Sequence, residues 1–240
     1  MRTIPRVAIA AAGVVTAGLL AGCGVADEGA RPGVAAEVGD STIKVADVEK
    51  AAEDRCEVLD ELSGGEGSQP VSGARIRDLA LQSAVLREIA SHLAEEYDVE
   101  SGQLYDDARA EIRRQLEGLD EELVDRAELS LSSTDYFVDI LIQVGRDQLG
   151  LAESADPGGQ QGFPRGLEIA QAWQDEHPID TNPRYAAPVI GDANEGVLTT
   201  RDDLSTAVSD YAKDALGAAE DPQAADSGYA ASLPDSQRCG

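Results

Sequence analysis

The apolar positions between residues 74 and 97 recur at helical spacing and predict the longest helix of the chain. Ala74 to Tyr97 contains no Gly or Pro, and most of its residues are good helix formers. At about 100° per residue, the apolar side chains cover roughly half of the helix circumference: Ile76, Leu79, Val85, Leu86, Ile89, Ala90, Leu93 and Tyr97. The opposite face carries Arg77, Glu88, His92 and Glu95. So wide an apolar face needs more than one neighbour, and we expect the other elements to pack around this helix.

Shorter amphipathic patterns on either side predict further helices. A first helix is expected from about Val45 to Leu62, and Ser101 is a plausible N-cap for a third. The apolar stripe of the third helix comprises Leu104, Tyr105, Ala108, Ile112 and Leu116. Asp120 can cap a fourth helix, whose stripe comprises Leu123, Val124, Ala127 and Leu131.

The run from Tyr136 to Val144 is the most apolar stretch after the N-terminal segment. Its β-branched residues are compatible with a strand, but its length favours a helix from Thr134 to Leu149. The apolar coat of this helix has few gaps, which is consistent either with full burial or with one surface left open to a partner. Pro164 then introduces a helix from Arg165 to Glu176.

The N-terminal segment has the pattern of an export signal. Arg2 and Arg6 precede an apolar run from Val7 to Leu20, which is shorter than the roughly 20 residues of a membrane-spanning helix. It ends in Leu20-Ala21-Gly22-Cys23, which resembles the lipobox of bacterial lipoproteins. In that family a diacylglyceryl group is attached to the Cys thiol, and cleavage makes this Cys the first residue. The alternative is an ordinary secretory signal in which Cys23 is incidental.

These patterns divide the chain into four parts. We predict a lipoprotein signal over residues 1–22, a flexible tether over 23–34 and a mostly α-helical module over 35–200. Residues 201–240 are predicted to form a short helix from Asp202 to Leu216 and a mostly disordered acidic tail.

The charge balance bears on the classes of partner. The chain has 19 basic and 46 acidic side chains, for a net charge of -27, and aromatic residues make up 4% of it. Both properties argue against binding nucleic acid, which needs cationic side chains and stacking platforms. Cleavage before Cys23 would remove two arginines and bring the net charge to -29. Because anionic head groups repel such a surface, we expect membrane attachment to come from the lipid.

Two cysteines remain once Cys23 is acylated. In an exported protein a disulfide can persist, so we predict that Cys56 bonds to Cys239 and pins the tail to the first helix. The alternative is two free thiols, with Cys56 buried and Cys239 exposed.

Two segments carry a resemblance to a known family. Alternating runs flank a turn at Gly39-Asp40, with Val38 before it, Ile43 after it, and Asp47-Val48 opening a helix. This pattern resembles the start of the N-terminal module of SurA-type and PrsA-type extracytoplasmic chaperones, although Lys44 stands where those proteins usually have a Ser or Thr N-cap. Asn182-Pro183-Arg184-Tyr185 is similar to the end of a group of actinobacterial lipoproteins with a SurA N-terminal domain.

The resemblance implies a fold and an activity. In that family the N- and C-terminal segments combine into one module, so we expect short strands after residue 178 to lie near the hairpin from Val38 to Ile43. The implied function is a membrane-anchored holdase for unfolded or exported polypeptides on the extracytoplasmic face. The parvulin-type isomerase domain of SurA and PrsA has no room in this chain, so isomerase activity is not implied.

The sequence contains no motif with the residue spacing of a known catalytic site. His92 and His177 have no second histidine at i+4, and nucleophile-elbow, P-loop and dinucleotide motifs do not occur. No metal or cofactor is therefore expected. We expect His92 on a polar helix face.

The aromatic and aliphatic residues after the long helix are candidates for a client-binding surface: Tyr105, Ile112, Tyr136, Phe137 and Ile140. Aromatic side chains give large contact areas with few rotatable bonds, which suits weak, sequence-tolerant binding. The competing interpretation is that these residues pack in the core.

The alternative to the chaperone function is a binding or scaffold lipoprotein that recognises one fixed protein partner or a small ligand. A chaperone should expose a broad apolar cleft, whereas a receptor should have a pocket with a few fixed polar groups.

Lipidation of Cys23 is directly testable by intact mass spectrometry of the protein isolated from membranes. We expect a mature chain that begins at Cys23 and carries the mass of a diacylglyceryl group, because all four lipobox positions match. The Cys23→Ala variant should leave the membrane fraction. A mature N-terminus elsewhere, or a variant that stays on the membrane, would contradict the prediction.

Overall fold

The computed structural model describes residues 31–63, 70–191, 198–201 and 226–239 of the chain. The signal segment, Cys23 and the predicted helix from Asp202 to Leu216 lie outside these residues. The described part is mostly α-helical with a few short antiparallel strands, which confirms the predicted fold class.

The helices agree closely with the sequence pattern. They are α1 Val45–Ser63, α2 Gly73–Tyr97, α3 Gln103–Gln115, α4 Glu121–Leu131, α5 Ser133–Leu149, α6 Gly162–Glu176 and α7 Asp226–Ser232. The Asp120 cap is confirmed, since its side chain accepts hydrogen bonds from the backbone N–H groups of Glu122 and Leu123. The Ser101 cap is wrong: Gly102 is the N-cap of α3 and provides no side chain for the purpose.

The strands are short: β1 Val34–Val38, β2 Ser41–Lys44, β3 Val71–Ser72, β4 Asp180–Thr181, β5 Ala187–Ile190, β6 Leu198–Arg201 and β7 Arg238–Cys239. Antiparallel β1 and β2 form the predicted hairpin, and Gly39 supplies the positive φ of 59° that its turn requires. On its other edge β1 pairs with β4, with Ala36 opposite Thr181. The N- and C-terminal segments are therefore joined in one three-stranded sheet, as expected.

The end of the chain folds back onto the start of α2. Strand β7 pairs with β3, and Cys239 forms a disulfide with Cys56 of α1 across a Cα–Cα distance of 5.3 Å. Ala230, Leu233 and Cys239 are buried. The prediction of disorder is therefore wrong for residues 226–239, because a few apolar contacts and one covalent bond suffice to order a segment of tail-like composition.

The main core lies between α2 and α5. Buried residues of α2 include Leu81, Val85, Ile89 and Leu93, and they meet α1, α5 and the β1–β2 hairpin. The expectation that several elements surround the long helix is thus confirmed. A smaller cluster joins α1, α3 and α4 through Val58, Leu116, Leu123, Val124 and Ala127.

Helices α5 and α6 approach each other more closely than side chains would allow. A Cβ atom at Gly145 would overlap the backbone carbonyl of Gly162, and one at Gly166 would overlap the carbonyl of Leu141. Backbone therefore packs directly on backbone at this crossing, and the approach depends on glycine on both helices.

Replacing Gly145 by alanine tests this contact. In an unobstructed helix the change would stabilise by about 1 kcal/mol, but here the added methyl group must displace the backbone of α6. We expect the Gly145→Ala variant to lose about 3 kcal/mol of unfolding free energy in urea titrations. The control is Gly158→Ala, where a Cβ would meet nothing nearer than 3.9 Å. Equal stability of the two variants would contradict the close packing.

Candidate ligand-binding site

Two of the five candidate client-binding residues lie in the centre of the core. Phe137 and Ile140 are both 0% exposed in α5, which is covered by α2 on one side and α6 on the other. A side chain without exposed surface cannot contact a client on the folded protein. The prediction that these two residues form a client surface is therefore wrong, and the full burial that the sequence left open is the correct alternative for them.

The other three candidates lie at the α3 side of the molecule. Tyr105 is buried, and its ring meets the half-buried ring of Tyr136 with centroids 5.1 Å apart. The guanidinium of Arg87 lies over Tyr136, and that of Arg109 lies over Tyr105. Ile112 is half-buried and packs against the smaller α1–α3–α4 cluster. The five residues therefore do not form one surface.

One concavity on the described part of the chain surrounds Trp173. Its volume is about 450 Å³, and the rings of His92 and His177 stack with that of Trp173 at centroid distances of 5.3 and 4.5 Å. His92 shares its side of α2 with Glu95 and Glu96, as expected of a polar face, but it is half-buried. Its Nε2 is 3.2 Å from the carbonyl oxygen of Val38 and 3.5 Å from Asp40. These contacts tie α2 and α6 to the hairpin turn, and we assign the ring stack to the packing of the hairpin.

A second concavity, of about 540 Å³, runs beside the disulfide. Its lining includes acidic residues of α1 such as Glu53, Glu57 and Glu61, with Arg77 and Arg238 opposite. These glutamates are exposed, so water solvates them, and Glu57 also lies 3.6 Å from Arg126.

A third concavity is smaller and has buried polar groups. This Asp139 cavity, of about 190 Å³, has a floor of α5 residues at i, i+3, i+4 and i+7: Asp139, Ile142, Gln143 and Arg146. Leu104 and Asp107 of α3 form one rim, and Glu153 and Pro157 of the α5–α6 connection form the other. Since Asp139 and Arg146 are buried, packing fixes both charges in place.

Arg146 is paired with a carboxylate at one end of the floor. It donates a hydrogen bond to the backbone oxygen of Asp156, and its Nε lies 3.7 Å from that residue's carboxylate. The carboxylate also accepts hydrogen bonds from the backbone N–H groups of Gln161 and Gly162 at the start of α6. Burial acts to raise the pKa of Asp156, but these hydrogen bonds and the Arg146 charge outweigh it, so the pKa lies below its usual value.

Asp139 has hydrogen bonds but no counter-charge. It accepts one from the backbone N–H of Gly102 and one from Gln143 Nε2 at 3.2 Å. The first bond satisfies the N–H of Gly102, the N-cap residue of α3, as the acidic side chain of a capping box does. Asp139 is 1% exposed, yet within the described residues it forms no ion pair.

Polar residues on one face of α5 are a sequence signal for this site, although the surrounding apolar residues make it easy to miss. Asp139, Gln143 and Arg146 are the polar residues at i, i+4 and i+7 in the most apolar helix, so they share one face. An ionisable residue in such a helix must find a partner or a cavity. The position of the α5–α6 connection over this face depends on tertiary packing, which the local pattern does not contain.

Comparison of the chain with protein-family models, with curated proteins and with solved structures finds no match. No group of three or more His, Cys, Asp or Glu side chains in the described residues is arranged to hold a metal ion. Among the described helices, none is both long and apolar enough to cross a membrane. Any assignment of function therefore depends on the geometry of the concavities.

Truncation of the two neighbouring aromatic residues of α5 should separate core from surface. We expect Phe137→Ala to lower the free energy of unfolding by about 3–5 kcal/mol, because it removes a fully buried ring. Tyr136→Ala should cost about 1–2 kcal/mol, because part of its ring faces solvent. Leu129→Ala, at a side chain that is 53% exposed, is the control and should change stability by less than about 0.5 kcal/mol. A Phe137→Ala protein as stable as the Leu129→Ala control would contradict this assignment.

Proposed function

We propose that the protein is a lipoprotein, anchored through Cys23 to the extracytoplasmic face of the cell membrane, that binds one fixed ligand or partner at the Asp139 cavity. The observation that carries the proposal is the convergence of two buried charged side chains, Asp139 and Arg146, on one small cavity. Groups of this kind fix the orientation of a ligand and give a site its specificity.

The proposal favours the fixed-partner alternative over general chaperone activity. Sequence-tolerant binding of unfolded chains needs a broad apolar surface, and Phe137 and Ile140 of the predicted surface are in the core. The three concavities described above are lined largely by polar and charged side chains. A polar cavity of about 190 Å³ suits a small group of definite chemistry better than a varied set of polypeptides.

Holdase activity stays a prediction and is the second candidate. The observation in its favour is that Tyr136 is partly exposed and that five leucines expose a third or more of their surface: Leu59, Leu62, Leu104, Leu129 and Leu149. These leucines are distributed over α1, α3, α4 and α5, and isolated apolar side chains on a surface are common in proteins that are not chaperones. The SurA-type resemblance of the hairpin and of Asn182 to Tyr185 is likewise a hypothesis.

The side chains of the cavity also fit a binding site better than they fit a catalytic site. The two histidines of the chain, which are common catalytic residues, stack with Trp173 in a different concavity. At the Asp139 cavity, the buried Asp139 and Asp156 carboxylates are already engaged with backbone N–H groups at the starts of α3 and α6.

Site-specific photocrosslinking in membranes tests the proposal. A photoreactive residue in place of Leu104, on the rim of the cavity, should give one adduct of defined mass by intact mass spectrometry. The matched control places the same residue at Leu129, which is also exposed but does not line the cavity. We expect little adduct there. A broad distribution of polypeptides captured at both positions would contradict the proposal and favour the holdase.

A further inference from the structure

We propose that the Asp139 cavity binds a primary ammonium group carried on a short aliphatic chain. The inference rests on the proposed function in taking this cavity as the binding site, and it adds the chemical class of the ligand. It follows from the pairing of the buried carboxylates, the unused acceptor positions of Asp139 and the apolar side chains at the rims and floor of the cavity.

The pairing of buried carboxylates singles out Asp139. Four acidic residues in the described part of the chain are buried: Asp54, Glu128, Asp139 and Asp156. Asp54 pairs with Arg126 and Lys50, Glu128 with Arg109 and Arg113, and Asp156 with Arg146. Asp139 is the exception among the four, and it is held by neutral donors alone. A buried charge without a counter-charge is costly, and a cationic ligand would remove that cost.

The hydrogen bonds of Asp139 leave room for such a ligand. Each carboxylate oxygen accepts one hydrogen bond, from Gly102 N–H or from Gln143 Nε2, whereas an ionised carboxylate offers about four acceptor positions in all. A primary ammonium group carries three N–H donors and no acceptor, so it complements the unused positions. Hydrogen bonds between two charged groups are roughly twice as strong as neutral ones.

The remaining charges also favour a cation. Asp107 and Glu153 lie on opposite rims and add two carboxylates at the entrance. Arg146 is the cation among the lining residues, and its charge is balanced by Asp156. The cavity is therefore net acidic, with its buried carboxylate on the floor and exposed ones at the mouth.

Three apolar side chains among the lining residues restrict the shape of the ligand. Leu104 and Pro157 are exposed at the rims, and Ile142 lies in the floor beside Asp139. These side chains would contact the methylene groups of a short chain whose ammonium group reaches Asp139. The volume of about 190 Å³ corresponds to roughly six water molecules. A chain of four or five carbon atoms that carries a terminal amine suits this volume, either as a free amine or diamine or as the lysine side chain of a partner.

Structural capping of α3 is the competing role for Asp139, and it predicts a different response to substitution. Asparagine keeps an acceptor for the Gly102 N–H but removes the negative charge. If Asp139 only caps α3, Asp139→Asn should alter stability without altering any ligand affinity. If it holds an ammonium group, the same change should weaken the binding of amines at least tenfold.

Calorimetric titration of the full chain with n-butylammonium and with 1,5-diaminopentane tests the inference. We expect saturable binding to the native protein, and affinity at least tenfold weaker for Asp139→Asn. Asp147→Asn removes the same charge from an exposed position of α5 outside the cavity and should bind like the native chain. Equal weakening in the two variants would mean nonspecific attraction to an acidic protein and would overturn the inference. So would binding of butyrate or Ca²⁺ without binding of the amines.

A second pair of variants tests amine binding in case the Asp139→Asn protein does not fold. Leu104 and Leu149 are each 46% exposed, but only Leu104 of the two lines the cavity. Leu104→Arg places a positive charge at the entrance and should weaken amine binding about tenfold, whereas Leu149→Arg should not. Equal affinities in these two variants would likewise overturn the inference.

The source of the ammonium group is resolved by comparing the free amines with a peptide that contains one lysine. Tighter binding of the peptide indicates a protein partner, and tighter binding of the diamine indicates a free ligand; both support the ammonium chemistry. If neither binds but the crosslinker at Leu104 still gives one adduct, and Asp139→Asn abolishes it, then the proposed function stands and the ammonium inference fails.

Discussion

The backbone contact between α5 and α6 is the constraint on which the rest of the structure depends. Glycines at 145, 162 and 166 let the two helices meet without intervening side chains. The close approach places α5 between α2 and α6, so that Phe137, Ile140 and Leu141 have no exposed surface. It also brings the α5–α6 connection over the helix face that carries Asp139 and Arg146. The α5–α6 contact therefore determines both the burial of the core residues of α5 and the position of the cavity.

Local patterns predicted much of the fold for reasons that are visible in single residues. The long apolar face of α2, the Gly39-Asp40 turn and the Asp120 cap each depend on near neighbours in the chain. The predictions failed where a distant element supplies the interaction. Helix α3 begins one residue later than predicted, after Gly102, whose N–H is bonded by Asp139, 37 residues after Gly102. The tail is ordered at its end because Cys56, 183 residues earlier, holds it.

The candidate site was harder to predict than the fold, because composition conceals it. In a chain with 46 acidic side chains, one more aspartate carries little information. Asp139 becomes distinctive only when its burial and its lack of a cationic partner are both known, and both depend on which helices surround it. The same holds for His92: its position on α2 is set locally, whereas its stacking with Trp173 is set by the packing of α6.

The Cys56–Cys239 bond has a consequence for the integrity of the molecule. Every peptide bond between these two residues lies inside a covalent ring that includes most of the folded chain. A protease that cuts the ring once leaves one molecule of nearly unchanged mass, because the disulfide still joins the two fragments. The two fragments of a nicked molecule would separate only after a thiol reductant opens the bond and the packing between them is lost.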